Sequence, residues 1–524
     1  GVVAVSVAKA LAAAAAAFST REVFAAFDGR EVSMPAAALA AIAASGIAIA
    51  GLRIMERVLA ERIGQHYAAD LRLLLFDHVA HMPQRVLSRR STGGLGLRFL
   101  GDMGAARAWV SLGIARLVSA SIVLPAAVAV LLALDPAIGV AAAAPMALGI
   151  VLMLLIGARL GRLHRRIRSR RNDLATGVAE RLAHAPVLRG MGRLRQERRM
   201  LRRRSDRLAR AAVARARASA AMTAVPDMIL GLSGAAILLT ALATGAGVAT
   251  AAGALAALGL AVQPMRELAG VADRHRAWLA ARARCLDLLG APRLEPGRAP
   301  TRRRRCMPVL QLRKVSIGPL RDLDATLAKG RRAALIGPNG AGKSTLLNLA
   351  AGLDRPDAGR VRVAGQDPVP VEDRAGGRQP LLIGARTPVL AGSLRRALTL
   401  GIAPRRDDGA VEAMAERFGL APVIARLGGL DGRVSDGGRN LSAGELRRIA
   451  LVRAALSTSR LLLLDEPDDA LDGDAAALIA TLFAATDAAV LMVTHDEAIA
   501  ALADETWCLA NGRLRIAEIP AAAA

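Results

Sequence analysis

The sequence predicts two domains of different class: an all-α domain of six membrane-spanning helices, then a soluble α/β domain. Three observations predict it. Long uncharged apolar runs are confined to the first 265 of 524 residues, arginine is spread unevenly over the connections between those runs, and beyond residue 309 short apolar strands end in glycine-rich or acidic clusters. A chain of this length exceeds what one hydrophobic core usually organises.

Each span follows from length and charge. Crossing about 30 Å of hydrocarbon takes about 20 apolar residues in a helix. Residues 35–52, 117–134 and 136–158 carry no charge. Asp135-Pro136 separates two of these runs as a tight surface hairpin. Residues 228–265 form an uncharged stretch of 38 residues. That is nearly twice a bilayer at about 1.5 Å per residue, so it must fold back, with Thr244-Gly245-Ala246-Gly247 as the turn. Residues 1–20 have the apolarity of a signal-peptide core. Their one positive charge, Lys9, lies inside the run and not ahead of it, so a first membrane helix reaching towards Phe27 is expected.

Arginine sets the orientation. The connection from Arg53 to Arg116 holds ten arginines and the stretch from Arg159 to Arg217 holds twenty, whereas residues 21–34, Asp135 and the Thr244 turn carry two between them. The positive-inside rule makes both long connections cytoplasmic. A formal net charge of +27 raises nucleic acid as a partner, but the excess is topological. Nucleic acid is therefore not expected, and anionic head groups of the lipid bilayer are the counter-charge. Cys285, Cys306 and Cys508 lie far apart and match no metal-ligand spacing, so neither a disulfide framework nor a metal cage is expected.

The two cytoplasmic connections are rich in helix formers. Residues 160–221, folded as a helical hairpin, would reach on the order of 45 Å from the membrane. Each breaks near its middle, at His81-Met82-Pro83 through Gly94 and at His184-Ala185-Pro186 through Gly192. Short helices at such tips can rest on another domain. Within the spans Lys9 is the ionisable exception; it is either a snorkelling interfacial residue or a functional one.

Residues 267–308 form a bridge, a helical stretch followed by a linker ending in Thr301-Arg302-Arg303-Arg304-Arg305. The strand Ala333–Ile336 then leads into Gly337-Pro338-Asn339-Gly340-Ala341-Gly342-Lys343-Ser344-Thr345, which fits the P-loop pattern G-x-x-x-x-G-K-[ST]. Its glycines let backbone N–H groups wrap phosphates, and the following helix presents its positive end. Lys343 would neutralise the β- and γ-phosphates and Ser344 would ligate Mg²⁺. A second strand, Leu461–Leu464, ends in Asp465 and Glu466, placed to hold Mg²⁺ and to polarise the attacking water. A third, Ala489–Val493, ends at Thr494-His495-Asp496, where His495 can orient Glu466. The expected fold class is thus an all-α six-helix transmembrane domain plus an α/β P-loop ATPase domain.

With Leu441-Ser442-Ala443-Gly444-Glu445 ahead of them, these residues resemble the nucleotide-binding domain of the ABC transporter superfamily over residues 309–517. Leu441–Glu445 is similar to its signature motif, with Ala443 and Glu445 in place of glycine and glutamine. Asp469–Asp472 is similar to its D-loop. The six spans resemble the membrane domain of the exporter type in layout. The resemblance implies a half-transporter: membrane domain 1–285, linker 286–308, nucleotide-binding domain 309–517 and tail 518–524, with coupling helices near residues 83–94 and 183–192. It implies ATP and Mg²⁺, with Gly337–Thr345 and Ser442–Glu445 contacting nucleotide, Ser344 and Asp465 at the metal, and Lys343, Glu466 and His495 in hydrolysis. It also implies a second half-transporter as partner, in a homo- or heterodimer in the cytoplasmic membrane, with Ser442 and Gly444 serving the nucleotide on that partner. The solute is not specified.

Two expected family residues are absent. Met307–Arg332 contains no Phe, Tyr or Trp to stack on adenine, so an aliphatic such as Ile317, or a residue from elsewhere, would take that place. Ala385-Arg386 stands where the family has a Mg²⁺-sensing glutamine, and arginine cannot ligate a cation. Beside an active exporter, two alternatives therefore stay open: a partner subunit that binds ATP but hydrolyses it weakly, and an importer with an exporter-like fold.

Overall fold

The computed structural model describes residues 1–28, 35–90, 95–96, 98–295, 307–368, 379–384, 387–402, 406–471 and 473–518. The chain forms two compact units, Gly1–Asp77 with Ser91–Gly290 and His78–Arg90 with Ala291–Ala524. In chain order the helices before the first strand are α1 (Val2–Asp28), α2 (Ala36–Ala80), α3 (Gln84–Leu87), α4 (Arg98–Leu134), α5 (Pro136–Ala183), α6 (Ala185–Gly190), α7 (Leu194–Thr244), α8 (Val248–Leu268) and α9 (Val271–Leu289). Six of them (α1, α2, α4, α5, α7 and α8 continued by α9) are long and apolar enough to cross a membrane.

Local chemistry fixes the ends of these spans. Asp135 breaks the helix between α4 and α5, and its carboxylate accepts the Ile138 N–H at 3.0 Å as an N-cap, with Pro136 in the first turn. At the other hairpin Gly245 adopts φ +69°, a left-handed C-cap that costs glycine no Cβ clash. The expected turns at Asp135 and at Thr244–Gly247 therefore lie where the helices stop. The core of this unit is aliphatic, with Leu131, Ile138, Ile229, Ile237 and Leu258 fully buried. Helix α4 carries two π-helical segments, Arg98–Asp102 and Trp109–Ile114, and the Arg284 guanidinium of α9 grips Asp102 with two nitrogens.

Lys9 does not simply snorkel. Its ammonium lies 2.5 Å from Glu56 Oε2 and 3.0 Å from Ser119 Oγ, so α1 meets α2 and α4 through one small polar knot. Both charged side chains are almost wholly covered, 12% and 11% exposed. A charge in that setting is tolerable only when paired.

The second unit is α/β. Strands β1 (Leu310–Ile317), β2 (Leu320–Leu327) and β4 (Ala358–Val363) form an antiparallel sheet in the order β2-β1-β4. Strands β3 (Arg332–Ile336), β5 (Leu381–Ile383), β8 (Leu461–Asp465), β9 (Ala489–Val493), β10 (Glu505–Ala510) and β11 (Arg513–Glu518) form a larger one, ordered β11-β10-β3-β9-β8-β5. A two-stranded ribbon joins β6 (Gly392–Ser393) to β7 (Arg433–Val434). In the larger sheet every pairing is parallel except β10 with β11. Helices α10 (Lys343–Ala350), α11 (Leu394–Thr399), α12 (Asp408–Arg417), α13 (Ala421–Leu427), α14 (Ala443–Leu456), α15 (Ala475–Ala485) and α16 (Glu497–Ala500) complete the unit. Leu461–Leu464 and Ala489–Val493 are buried throughout, as expected of parallel strands covered on both faces.

This unit also contains α3. The Gln84 N–H donates to the Leu353 carbonyl at 2.8 Å, the Arg85 N–H to Asp354 Oδ1 at 3.1 Å, and the Arg85 guanidinium to Asp357 Oδ1 at 2.9 Å. The Leu294 N–H donates to the His81 carbonyl at 2.7 Å. Burial pushes the Asp354 carboxyl above the ordinary aspartate range. The hydrogen bond from Arg85 holds the more exposed Asp357 carboxyl below that range. Residues 91–94 and 296–306, which include parts of the first connection and the arginine run of the bridge, lie outside the described residues.

Candidate nucleotide site

Parallel strands deliver their C-terminal ends to one edge, and the chemistry-bearing residues sit there. The loop Gly337–Gly342 follows β3 and opens α10. Gly337 has φ +154° and runs so close to β10 that a Cβ would lie 2.2 Å from the Leu509 carbonyl oxygen. Gly342, at φ +104°, would place a Cβ 2.7 Å from Leu320. At Gly337 the clash is with backbone, and at Gly342 the left-handed φ strains any side chain. The Lys343 ammonium bends over this loop and donates to the Gly337 and Pro338 carbonyls at 2.7 and 3.3 Å. Pro338, Asn339 and Gly340 are exposed, Ala341 half-buried, and Thr345 lies in the first turn of α10.

Strand β8 pairs with β9 so that Asp465 stands opposite Val493. Ser344 Oγ and Asp465 Oδ1 face each other at 3.5 Å. Glu466 takes φ +49°, a left-handed conformation that strains a non-glycine residue, and its N–H is held by the Val493 carbonyl at 3.0 Å. His495 Nε2 lies 3.6 Å from Glu466 Oε1. Both side chains are about half exposed and so open to solvent water and substrate. Lys343, Ser344, Asp465, Glu466 and His495 are thus brought to one sheet edge.

Ser442, Ala443, Gly444 and Glu445 open α14 on a separate element. Ser442 Oγ accepts the Glu445 N–H at 3.1 Å while Glu445 Oε2 accepts the Ser442 N–H at 2.8 Å, a reciprocal capping box. The S-x-x-E spacing of Ser442 and Glu445 is the sequence signal for this cap. Glu445 also takes Arg426 across both carboxylate oxygens at 2.9 and 2.8 Å. Its carboxylate is therefore turned back on its own domain, whereas Ser442 and Ala443 remain exposed at the helix tip.

The expectation for Ile317 is overturned. Its side chain is 3% exposed within the core of β1, β2 and β3, because the irregularity between Leu312 and Val315 shifts the alternation and turns Val315 and Ile317 inward. Exposed Pro319, beside Gly342, is the apolar surface next to the P-loop. Ala385 and Arg386 lie outside the described residues, as does Asp472. The preceding Gly384 abuts Asp465, and its N–H donates to Thr387 Oγ1 at 2.8 Å.

Alongside that segment runs a cleft of about 460 Å³, lined by Thr387, Pro388, Val389, Gly437, Leu446 and Ala450 among others. Its floor includes Arg453, whose guanidinium donates to the Ala397 and Pro388 carbonyls at 2.5 and 2.8 Å. Burial pulls that guanidinium down to about 10.

Comparison with known proteins bears on both units. Residues 320–469 match the family model described as ABC transporter, and residues 2–252 the one described as ABC transporter transmembrane region. The lipoprotein-releasing system ATP-binding protein LolD of Anaeromyxobacter dehalogenans is 36% identical over 206 residues, spanning 84% of that protein and 37% of this chain. The chain belongs to the ABC transporter family. The ABC transporter ATP-binding protein RamB of Streptomyces coelicolor is 38% identical over 214 residues, which cover 38% of this chain and 34% of RamB. A multidrug efflux ATP-binding/permease protein of Mycobacterium bovis is 39% identical over 197 residues, 16% of its own length. The matches thus span about a third or less of these two larger relatives. A bacterial Atm1-family ABC exporter solved with ATP bound shares the fold, with a TM-score of 0.80 over 99% of this chain and 94% of that one at 20% identity. The fold is therefore that of an ABC transporter: a six-helix membrane region fused to an ATP-binding domain.

Proposed function

We propose that this ABC half-transporter hydrolyses ATP at a dimer interface to move a solute, in the exporting direction, across the cytoplasmic membrane. The observation that carries this reading is the gathering of Lys343, Ser344, Asp465, Glu466 and His495 on one sheet edge, with Glu466 held in a strained conformation beside His495. Lys343 transfers its ammonium from the Gly337 and Pro338 carbonyls to the phosphates of ATP. Glu466 orients the attacking water and accepts its proton, while His495 fixes the Glu466 carboxylate. Ser344 and Asp465 offer two hard oxygen donors facing each other, a set that suits Mg²⁺ better than a softer metal. When bound there, Mg²⁺ supplies charge neutralisation for the phosphates.

The Ser442–Gly444 tip of α14, exposed at Ser442 and Ala443, serves the nucleotide held by a second half-transporter, with the helix N-terminus facing the phosphates. The tip of the second cytoplasmic connection is available to meet another domain. Exposed Val187 and Met191 give that tip an apolar surface. ATP-driven closure of the dimer then moves the helices. A second reading, a weakly hydrolysing partner in a heterodimer, is favoured by Ala385-Arg386 in place of a glutamine.

ATP turnover of the purified protein in lipid, measured beside Glu466→Gln, separates the two. The first reading expects a loss of about 10²–10⁴-fold in the variant. Equal turnover in both proteins sinks it.

A further inference from the structure

Between Glu466 and Leu471 the chain makes a tight loop with two non-glycine residues in the left-handed region, Glu466 at φ +49° and Ala470 at φ +62°. Such backbone persists only where its surroundings over-determine it, so this loop needs fixed partners. At its start the Glu466 N–H donates to the Val493 carbonyl of β9 at 3.0 Å. Further on, the Asp469 N–H donates back to the Glu466 carbonyl at 3.2 Å. The place of Asp469 therefore fixes the far side of the Glu466 residue.

Asp469 is itself gripped from α14. Arg447 donates from Nε to the Asp469 carbonyl at 3.1 Å and from Nη2 to Asp469 Oδ2 at 3.3 Å. Its side chain is only 7% exposed. A guanidinium so covered needs paired acceptors, and among the described residues this one loop residue supplies both. Three positions earlier, on the same face of the helix, Gly444 meets the loop again: a Cβ there would lie 3.0 Å from the Ala470 carbonyl oxygen. Helix α14 thus touches two successive residues of the loop.

We propose that Arg447 is a positioning residue for hydrolysis: by holding Asp469 it keeps Glu466 in its left-handed turn, with the carboxylate beside His495. The role rests on the hydrolysis reading above. Arg447 lies beyond the motif residues Ser442–Glu445 and acts through Asp469, not on the nucleotide.

The test uses the full chain in lipid nanodiscs, with ATP turnover and amide exchange of residues 466–471 measured side by side. In Arg447→Gln, kcat should fall about 10–100-fold while KM for ATP stays within about threefold, because Lys343 and Ser344 are untouched. Exchange of the loop amides should rise about tenfold. Arg447→Lys keeps the charge and should recover most of the lost kcat. Asp469→Ala removes the carboxylate but not the carbonyl, on an exposed residue that tolerates the change, and should cost about fivefold. The double variant should be no slower than Arg447→Gln alone. Arg448→Gln is the control: that guanidinium donates to the Phe418 carbonyl at 3.0 Å and faces Asp474 at 3.6 Å, and its loss should leave kcat within about twofold of the parent. A parent-like kcat in Arg447→Gln overturns the proposal. So do equal losses in Arg447→Gln and Arg448→Gln, or a loss that sits in KM. If the parent turns over ATP no faster than Glu466→Gln, the hydrolysis reading fails instead. Loop exchange then decides alone: faster exchange in Arg447→Gln supports the hold on Asp469, and an unchanged rate refutes it.

Discussion

Removing the Asp354 carboxylate is the most direct probe of how α3 is held. Asp354 is 3% exposed and its Oδ1 accepts the Arg85 N–H at 3.1 Å. In Asp354→Ala that N–H loses its partner, at a cost of about 1–3 kcal/mol. Part of the cost is returned, because the buried carboxylate, whose proton affinity is raised by burial, no longer has to be desolvated. A net loosening of about 1–2 kcal/mol follows, or roughly 5–30-fold faster exchange of amides in residues 83–90. The Arg85–Asp357 pair is different: its side chains are 44% and 54% exposed, so Asp357→Ala should cost only about 0.2–1 kcal/mol. Hydrogen exchange with mass spectrometry on the full chain in lipid compares the two. Asp354→Asn retains an acceptor oxygen and should exchange close to the parent rate.

The pH dependence has a definite sign. Because the Asp354 carboxyl is raised when folded, its contribution is full below the ordinary 3.8 and lost as pH rises through the raised value. Asp357, lowered by Arg85, contributes above 3.8 and loses its contribution as pH falls through the lowered value. Protection of α3 should therefore grow as pH is lowered from neutral towards the raised Asp354 value. If Asp357→Ala loosens the segment more than Asp354→Ala, or protection falls over that pH range, the reasoning is wrong.

Two predictions concern the ATP-binding domain. Ile317→Ala should lower unfolding stability by about 2–5 kcal/mol, read as a shift in denaturation midpoint, while ATP affinity of the folded fraction stays unchanged. A selective loss of ATP affinity would return Ile317 to the adenine site. Gly337→Ala must drive a methyl into the Leu509 carbonyl, so thermal unfolding should move down and ATP binding should fall even in the folded fraction. An unshifted melt with normal binding would show that the loop can move aside.

Sequence and structure agree best where the signal is local. Helix ends at Asp135 and Gly245 are written in capping chemistry, and uniform apolar runs mark strands buried on both faces. The S-x-x-E cap of Ser442 and Glu445 is equally local, although the same residues also form the nucleotide-binding motif. Being apolar and near a motif says nothing of which face of a strand Ile317 occupies; the irregularity in β1 between Leu312 and Val315 decides that. Contacts between distant segments had no sequence signature at all. Nothing near Lys9 announces Glu56, and nothing near Arg85 announces Asp354, since these pairings exist only once helices and sheet have packed.

The Lys9–Glu56 pair also has a consequence in time. The two residues are 47 positions apart, and chains are made at about 5–20 residues per second. Lys9 therefore precedes its counter-charge by roughly 2–10 s, and Ser119, 110 positions on, arrives later still. Helix α1 reaches the membrane carrying a charge that it cannot yet neutralise. The placement of α1 stays provisional until α2 emerges, so these two helices settle in the membrane as a pair.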